Sequence, residues 1–292
     1  MRANMNKNKV TVNGLIAQGR DILKAYEKAD AEIDARLLAM YLLECNRAEL
    51  ILNGNKEVAD HIRESYLYMI AKRAQGIPLQ YITKNQEFMG LPFYVDERVL
   101  IPRQDTEVLV ETVMEYAKQT HFENALEVGV GSGCISISLT HYIAELKVTA
   151  IDICESALAV ANKNATINKV SEQITFLQSD VFEKYEGKEE SLDLIVSNPP
   201  YITQEECKQL MVEVRAYEPL KALTDGGDGL YFYRKITEEG KKYLKSKGVL
   251  AYEIGYLQGE AVYAILRNEG FENIRVIKDL QGHDRVVIGT KA

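Results

Sequence analysis

The sequence predicts an α/β fold: a mostly parallel sheet covered by helices on both faces, preceded by a small helical bundle and a linking hairpin. Three observations predict it. From about residue 125 onward, near-continuous apolar strands alternate with amphipathic helices, the pattern of a parallel sheet buried on both sides. Before residue 80 the apolar residues recur instead at three- and four-residue steps, which puts one apolar stripe on each of several short helices. Between the two, aromatic and β-branched residues alternate around Gly90-Leu91-Pro92 and Asp96-Glu97, a hairpin signal. The chain thus divides into a helical domain at 1–80, a hairpin linker at 81–104 and a sheet domain at 105–292.

In the first region Leu15, Ile16, Ile22, Leu23 and Tyr26 mark one helix, and Ile33, Leu37, Leu38, Tyr41 and Leu42 another. After a break at Asn53–Asn55, Val58, Ile62, Tyr66 and Met69–Ile70 mark a third. Gly76-Ile77-Pro78 ends the run, since neither Gly nor a following Pro continues a helix well. A helix is expected from Asp105 to about Lys118. Strands are then expected at 125–130, 147–153, 174–180, 192–198 and 248–254, with helices at 134–142, 156–168, roughly 204–214, 230–246 and near 258–269. The last two strands, 273–279 and 284–290, are joined too tightly for a crossover and should be antiparallel.

The 292 residues are 46% hydrophobic and 27% charged, with a net charge of −8. Residues 1–80 carry 12 basic against 10 acidic side chains, and the remainder 23 against 33. Such a chain has no general attraction to nucleic acid or to anionic membranes, although Arg2, Lys7 and Lys9 make its start mildly basic. No apolar run approaches a membrane span, and the first twenty residues lack the apolar core of a secretory signal. Cys45, Cys134, Cys154 and Cys207 form no C-x-x-C pair, and the four histidines are scattered. Reduced thiols, no metal site and a cytoplasmic location are the expectation.

Chemistry enters at Glu127-Val-Gly129-Val130-Gly131-Ser132-Gly133, where the first sheet strand meets its helix. Glycines there let the backbone turn sharply and approach a ligand. The dinucleotide fingerprint G-x-G-x-x-G would need its third Gly at position 134, which is Cys134. Asp152 ends the next strand, 19 residues beyond Gly133, where an acidic side chain can accept both hydroxyls of a ribose. Asp180 ends the third strand, positioned for an adenine amino group. A nucleoside without a pyrophosphate, as in S-adenosylmethionine, suits this loop better than a dinucleotide does.

The most specific stretch is Ser197-Asn198-Pro199-Pro200-Tyr201 after the fourth strand. Two prolines terminate a ladder, but a mere terminator needs neither the Asn before them nor the aromatic after. A planar NH2 group is a poor nucleophile because its lone pair is delocalised; in an amide the partial double bond gives a rotation barrier of ~18–20 kcal/mol. Two acceptors aimed at its N–H bonds favour a localised, attacking lone pair. The Asn198 side-chain oxygen and the Pro199 carbonyl can supply them. The prolines pre-set that geometry, and the Tyr201 ring can lie on the flat face of the target. The pattern identifies a planar nitrogen but does not separate glutamine, asparagine, adenine and cytosine.

With these residues in view, the sequence resembles the release factor glutamine methyltransferases, the HemK family, from about Asn13 to Thr290. The shared pieces are Gly76-Ile-Pro-Leu-Gln-Tyr-Ile, Glu87-Phe-Met-Gly90, Ile101-Pro-Arg-Gln-Asp-Thr-Glu107, the glycine loop, Asn198-Pro-Pro-Tyr201, Glu218-Pro-Leu-Lys-Ala-Leu223, Asp228-Gly-Leu230 and Glu253-Ile-Gly255. Adenine-specific DNA methyltransferases also share the Asn-Pro-Pro-Tyr motif; its combination with the Ile-Pro-Arg segment and the helical N-terminal domain is more selective. The resemblance implies a seven-stranded, Rossmann-like class I methyltransferase sheet with an antiparallel last strand. It also implies S-adenosylmethionine as cofactor and, as substrate, the glutamine of the Gly-Gly-Gln loop in class 1 peptide chain release factors. Carried over, Glu127, Gly129 to Gly133 (with Val130 and Ser132), Asp152, Asp180 and Val181 bind the cofactor. Asn198 touches both ligands, Asn198 to Tyr201 form the glutamine pocket, with Asn198, Pro199 and Tyr201 catalytic, and Arg103 lies beside it. The helical domain would dock the folded substrate.

Three positions depart from the family pattern: Glu127 where Asp is common, Lys84 where Gly often stands, and Gln104 in place of Pro. The competing readings are an amino-methyltransferase acting on nucleic acid, disfavoured by charge; a nicotinamide oxidoreductase, disfavoured by the third glycine; and a silent binding module, disfavoured by intact Asn198 and Tyr201. The cluster Lys241, Lys242, Lys245 and Lys247 reads as a solvated helix end.

Overall fold

The computed structural model describes residues 10–292, so Arg2, Lys7 and Lys9 lie outside the described residues. Two compact units divide between Lys84 and Asn85. The first contains helices α1 (Val12–Ala25), α2 (Ala31–Leu42), α3 (Arg47–Leu52), α4 (Asp60–Ala74) and α5 (Leu79–Thr83). Their apolar stripes meet in a core that includes Leu15, Leu23, Leu38, Tyr66 and Ile70. Gly19 makes the packing possible, because a Cβ there would fall 2.3 Å from the Tyr66 hydroxyl oxygen. That hydroxyl donates to the Ala35 carbonyl at 2.9 Å, so the buried phenol is satisfied. Residues 81–83, expected in the linker, are instead the end of α5. Thr83 Oγ1 bonds back to the Leu79 carbonyl, and Lys84 stops the helix in a left-handed conformation at φ 57°. That is the conformation in which Gly is favoured.

In the second unit β1 (Gln86–Phe88) and β2 (Leu91–Phe93) form a two-stranded hairpin. Its two turn residues, Met89 and Gly90, both have positive φ, as a tight hairpin turn requires. The turn is anchored by Glu107, which accepts from the Met89 amide, and by the Tyr142 hydroxyl, which donates to the Met89 carbonyl. Helix α6 (Gln104–Ala117) follows. Gln104 is its first helical residue, and Arg103 before it is extended at φ −103°, ψ 146°. The first helical position tolerates Pro because its N–H has no intrahelical partner, and an extended predecessor accepts one. Gln104→Pro is therefore expected to stabilise the fold by about 0.4–1 kcal/mol, read as a raised urea midpoint at unchanged m-value. A lowered midpoint would refute it.

The remaining elements are β3 (Asn124–Val128), α7 (Cys134–Tyr142), β4 (Lys147–Asp152), α8 (Glu155–Ile167), β5 (Ile174–Gln178), β6 (Leu192–Ser197), α9 (Gln204–Cys207), α10 (Val212–Tyr217), α11 (Tyr231–Gly240), β7 (Leu244–Glu253), α12 (Gly259–Asn268), β8 (Phe271–Lys278) and β9 (Asp284–Lys291). The seven sheet strands lie in the order β5-β4-β3-β6-β7-β9-β8. The strands from β5 to β7 pair in parallel, and β9 pairs antiparallel with both β7 and β8. Chain order reverses between β3 and β6, so the crevice at their carboxyl ends is the place where such a sheet receives a ligand.

Two expected helices come out shorter. The segment at 204–214 splits into α9 and α10. The helix expected to reach residue 246 stops at Gly240, and β7 begins at Leu244. Tyr243 and Leu244 are needed in the core, and a register shift against β6 carries Lys245 to Lys247 out of the ladder. The lysine cluster is a helix end only at its start: Lys241 caps α11 and bonds the Glu269 carbonyl, whereas Lys245 and Lys247 belong to β7, with Lys245 paired to Asp193.

Candidate active site

The loop after β3 is held by three residues with positive φ, Gly129, Gly131 and Gly133, and each glycine serves a different neighbour. The amides of Gly129 and Val130 both donate to the Ile151 carbonyl at the end of β4. Gly131 faces open space, with no atom within 4 Å of where a Cβ would stand. Gly133 faces inward, since a Cβ would come within 2.8 Å of Ile137 and 3.2 Å of Ala161. It brings α7 close to α8. The Gly131 amide donates to Asp152 Oδ2 and the Cys154 amide to Oδ1, both at 2.9 Å. Asp152 is thereby fixed at the strand tip, and burial raises its pKa against those bonds.

On the facing strand, Ser197 Oγ donates to the Val128 carbonyl at 2.6 Å and ties the ends of β6 and β3 together. The next residue is Asn198, whose carbonyl oxygen lies 4.0 Å from where a Gly129 Cβ would stand. One cavity is lined by Glu127, Gly129 to Ser132, Asp152, Asp180, Val181, Asn198, Pro199, Pro200 and Arg103. The glycine turn and the proline-framed segment therefore share a site.

Gly133 and Tyr201 are the two expected site residues that do not line it. Tyr201 packs toward the end of β7 instead. Its hydroxyl donates to Glu253 Oε1 at 3.2 Å, and its carbonyl accepts from Gln258 Nε2 at 3.1 Å. Gly229, at φ +75°, leaves room for that carbonyl, which a Cβ would approach to 2.2 Å. Both ends of Tyr201 are thus anchored, the hydroxyl at the end of β7 and the carbonyl at Gln258.

A family model described as Methyltransferase small domain matches residues 103–232, and one described as PrmC N-terminal domain matches residues 14–83. The release factor glutamine methyltransferase of Fusobacterium nucleatum is 42% identical over 261 residues, covering 89% of this chain and 73% of that one. Its counterpart in Clostridium acetobutylicum is 40% identical, covering 88% and 90%. The chain belongs to the release factor glutamine methyltransferase family. Among solved structures, the hMettl16 catalytic domain has a TM-score of 0.56 at 16% identity, covering 82% of this chain and 84% of that one. A methyltransferase from Pyrococcus furiosus has a TM-score of 0.51 at 18% identity, covering 80% and 100%. These two share the fold of a class I methyltransferase.

Further groups of the methyltransferase become visible only in three dimensions. Arg103 pairs with the buried Glu218, which joins the start of α6 to the segment after α10. Thr106, on α6, lines the cavity and accepts from Asn198 Nδ2 at 3.3 Å. Asn164, fully buried on α8, accepts from the Tyr94 amide and donates to the Tyr94 and Ser132 carbonyls. It thus fastens the extended segment after the hairpin to the glycine loop. The Cys134 thiol, also on the cavity, is kept protonated by burial. Asp180 pairs with Lys235 at 3.1 Å. Among the described residues, no group of three His, Cys, Asp or Glu could hold a metal ion, and no helix is long and apolar enough to cross a membrane.

Two buried carboxyls stand out electrostatically. Burial pushes Glu127 up to about 8, although Ser136 donates to it from its amide and hydroxyl. Burial pushes Glu253 up to about 7. Both start from an ordinary value of 4.5. Between these limits the folded protein binds more protons than the unfolded chain, so stability is lost as pH rises. The ligand-free enzyme is expected to lose stability from about pH 5 to about pH 8, by at most roughly 1.4 kcal/mol per pH unit for each acid. Glu127→Gln should flatten that slope. Urea midpoints across this range check it, and a midpoint that rises with pH would contradict it.

Proposed function

We propose that this enzyme methylates the side-chain amide nitrogen, N5, of the glutamine in the Gly-Gly-Gln loop of class 1 peptide chain release factors. It would do so in the cytoplasm, with S-adenosylmethionine as cofactor, and so support translation termination. The observation that carries the reading is the single cavity shared by the Gly129–Gly133 turn and Asn198-Pro199-Pro200.

The cavity suits that cofactor on its own chemistry. Glu127 is a buried carboxyl on the cavity whose pKa is raised by burial and by Asp152 and lowered by the bonds from Ser136. A bound ammonium group would offset that burial. Asp152 has both oxygens anchored by amides yet retains lone pairs for a diol, and the Asp180–Val181 turn borders the same space. When bound, S-adenosylmethionine supplies a methyl carbon on a positively charged sulfur.

The remaining work is done by the protein. Asn198 Oδ1 and the Pro199 carbonyl accept from the two N–H bonds of the carboxamide and turn its lone pair toward that carbon. The stiff proline pair keeps both acceptors in place before the substrate arrives, so little reorganisation is left for the transition state. Pro200 and Arg103 border the route by which a peptide loop enters. Tyr201 acts from behind, holding the clamp through its hydroxyl and carbonyl bonds. The amide nitrogen would gain the methyl as the carbon–sulfur bond breaks, leaving S-adenosylhomocysteine as a neutral thioether. No charged base is required, because the methylated nitrogen becomes acidic once it is cationic and gives its extra proton to water.

The test is incubation of the enzyme with a purified class 1 release factor and S-adenosylmethionine, followed by sequencing of the modified peptide by mass spectrometry. One methyl on the Gly-Gly-Gln glutamine is expected, and none when that residue is replaced by Glu. Methylation of duplex DNA or RNA with an unmodified release factor would overturn the proposal.

A further inference from the structure

The segments Asp228-Gly-Leu230 and Glu253-Ile-Gly255 line no part of the cavity, yet one side chain ties both of them to the proline-framed clamp. That side chain is Gln258. Its backbone is fixed at the start of α12, where its amide donates to the Gly255 carbonyl at 2.8 Å and its carbonyl accepts from the Val262 amide at 2.9 Å. Its side-chain Oε1 accepts from the Gly255 amide at 2.9 Å. A backbone N–H can only donate, so the oxygen must face Gly255 and the NH2 must point the other way. There Nε2 donates to the Tyr201 carbonyl at 3.1 Å and to the Gly229 carbonyl at 3.3 Å. Both of those partners only accept, so all three bonds agree on one orientation of the amide, and none depends on a protonation state. The fit is close on both sides. A Cβ at Gly229 would come within 2.2 Å of the Tyr201 carbonyl oxygen and 2.9 Å of Gln258 Nε2, and one at Gly255 within 3.0 Å of Gln258 Oε1. The glycines of the two segments are what admit the amide between them.

We propose that Gln258 is a positioning residue for methyl transfer: by holding the Tyr201 carbonyl it sets where the Asn198 and Pro199 acceptors stand relative to the cofactor methyl group. The inference rests on the proposed function, and it gives a reason for both glycine-containing segments. Tyr201 directly follows the two prolines, whose rings leave the backbone little freedom. A shift at its carbonyl is therefore passed along to the Pro199 carbonyl and to Asn198 rather than absorbed between them. The Gly229 loop, by contrast, has a tether of its own, because Asp225 accepts from the amides of Gly227, Gly229 and Tyr231. Losing the Gln258 amide releases the clamp and leaves the start of α11, where Tyr231 and Phe232 line the cavity, in place.

Gln258→Met keeps the length of the side chain and removes both donated bonds, at a position that is only half-buried. The expected result is a kcat lowered roughly tenfold, because a small misplacement of reacting groups is costly. The Kd for S-adenosylmethionine should stay within about twofold of wild type and the KM for the release factor within about threefold. A side chain that served only the fold would lower the melting temperature and leave the kcat of the folded enzyme alone. Gly229→Ala presses on the same carbonyl from the other side and should bring a fall in kcat of similar size. Once the Asn198 side chain is gone there is less for Gln258 to position, so Gln258→Met in an Asn198→Ala background should cost less than about threefold. Melting temperatures establish which variants fold. The inference is overturned if folded Gln258→Met or Gly229→Ala turns over at the wild-type rate, if the loss appears only in cofactor binding, or if the losses of Gln258→Met and Asn198→Ala multiply. Wild-type enzyme that binds S-adenosylmethionine but leaves the release factor unmodified would instead defeat the proposed function itself.

Discussion

Asn198→Ala is expected to lower kcat for glutamine methylation by about 10²–10³-fold, the size of effect seen when one preorganised polar group is taken from an active site. The variant removes one of the two acceptors that localise the amide lone pair and leaves the Pro199 carbonyl to act alone. The loss should fall on kcat rather than on stability, because among the described residues the side chain has one hydrogen-bond partner, Thr106 at 3.3 Å. Truncating that one bond should change the unfolding free energy by no more than about 1.5 kcal/mol. Single-turnover methylation with saturating cofactor and release factor separates the two effects. A rate within threefold of wild type (roughly 0.7 kcal/mol) would mean that the amide clamp is not the catalytic device.

Asn164→Asp is expected to have the larger effect on stability. Asn164 uses one oxygen and one NH2 to hold three backbone groups, at 2.7, 2.9 and 2.9 Å, in a fully buried position. Aspartate matches the shape but replaces the donor with an acceptor that faces the Tyr94 and Ser132 carbonyls. Two buried acceptors lose their partner and a third is pressed against them, costing at least about 4 kcal/mol. That is a large part of the stability of an ordinary domain. Protonation would return one donor, so the folded Asp has a raised pKa and the variant should regain stability as pH falls toward about 5. Calorimetry at two pH values tests both statements. A variant that melts within a few degrees of wild type would show that the glycine loop does not depend on this latch.

Much of the architecture was legible in the residues. The expected helix at 134–142 coincides with α7, and the seven expected strands are the seven of the sheet, because both signals are local. Alternating or continuous apolar residues bounded by Gly, Asn or Asp describe a strand wherever it is placed. Where expectation failed, a nonlocal demand had overridden the local one. Residues 241–246 read as helix, but the core required Tyr243 and Leu244 beside β6. The partner of the Tyr201 hydroxyl, a buried carboxyl 52 residues away, was likewise not written in the local sequence. Lys84 and Gln104 prove to lie at a left-handed helix end and a first helical position, where Gly and Pro respectively would fit the backbone.

The sequence by itself determined the order of elements, the glycine turn, the acidic strand tips and the Asn-Pro-Pro clamp, because each is a run of neighbours whose backbone needs are written locally. Only the tertiary structure decided which groups stand behind the clamp. Thr106, Glu253, Asn164 and Glu218 come from α6, β7, α8 and the segment after α10, and any of them could have been a surface residue in another chain. Burial changes their meaning, because a polar atom without water must find a partner and will hold that partner in place.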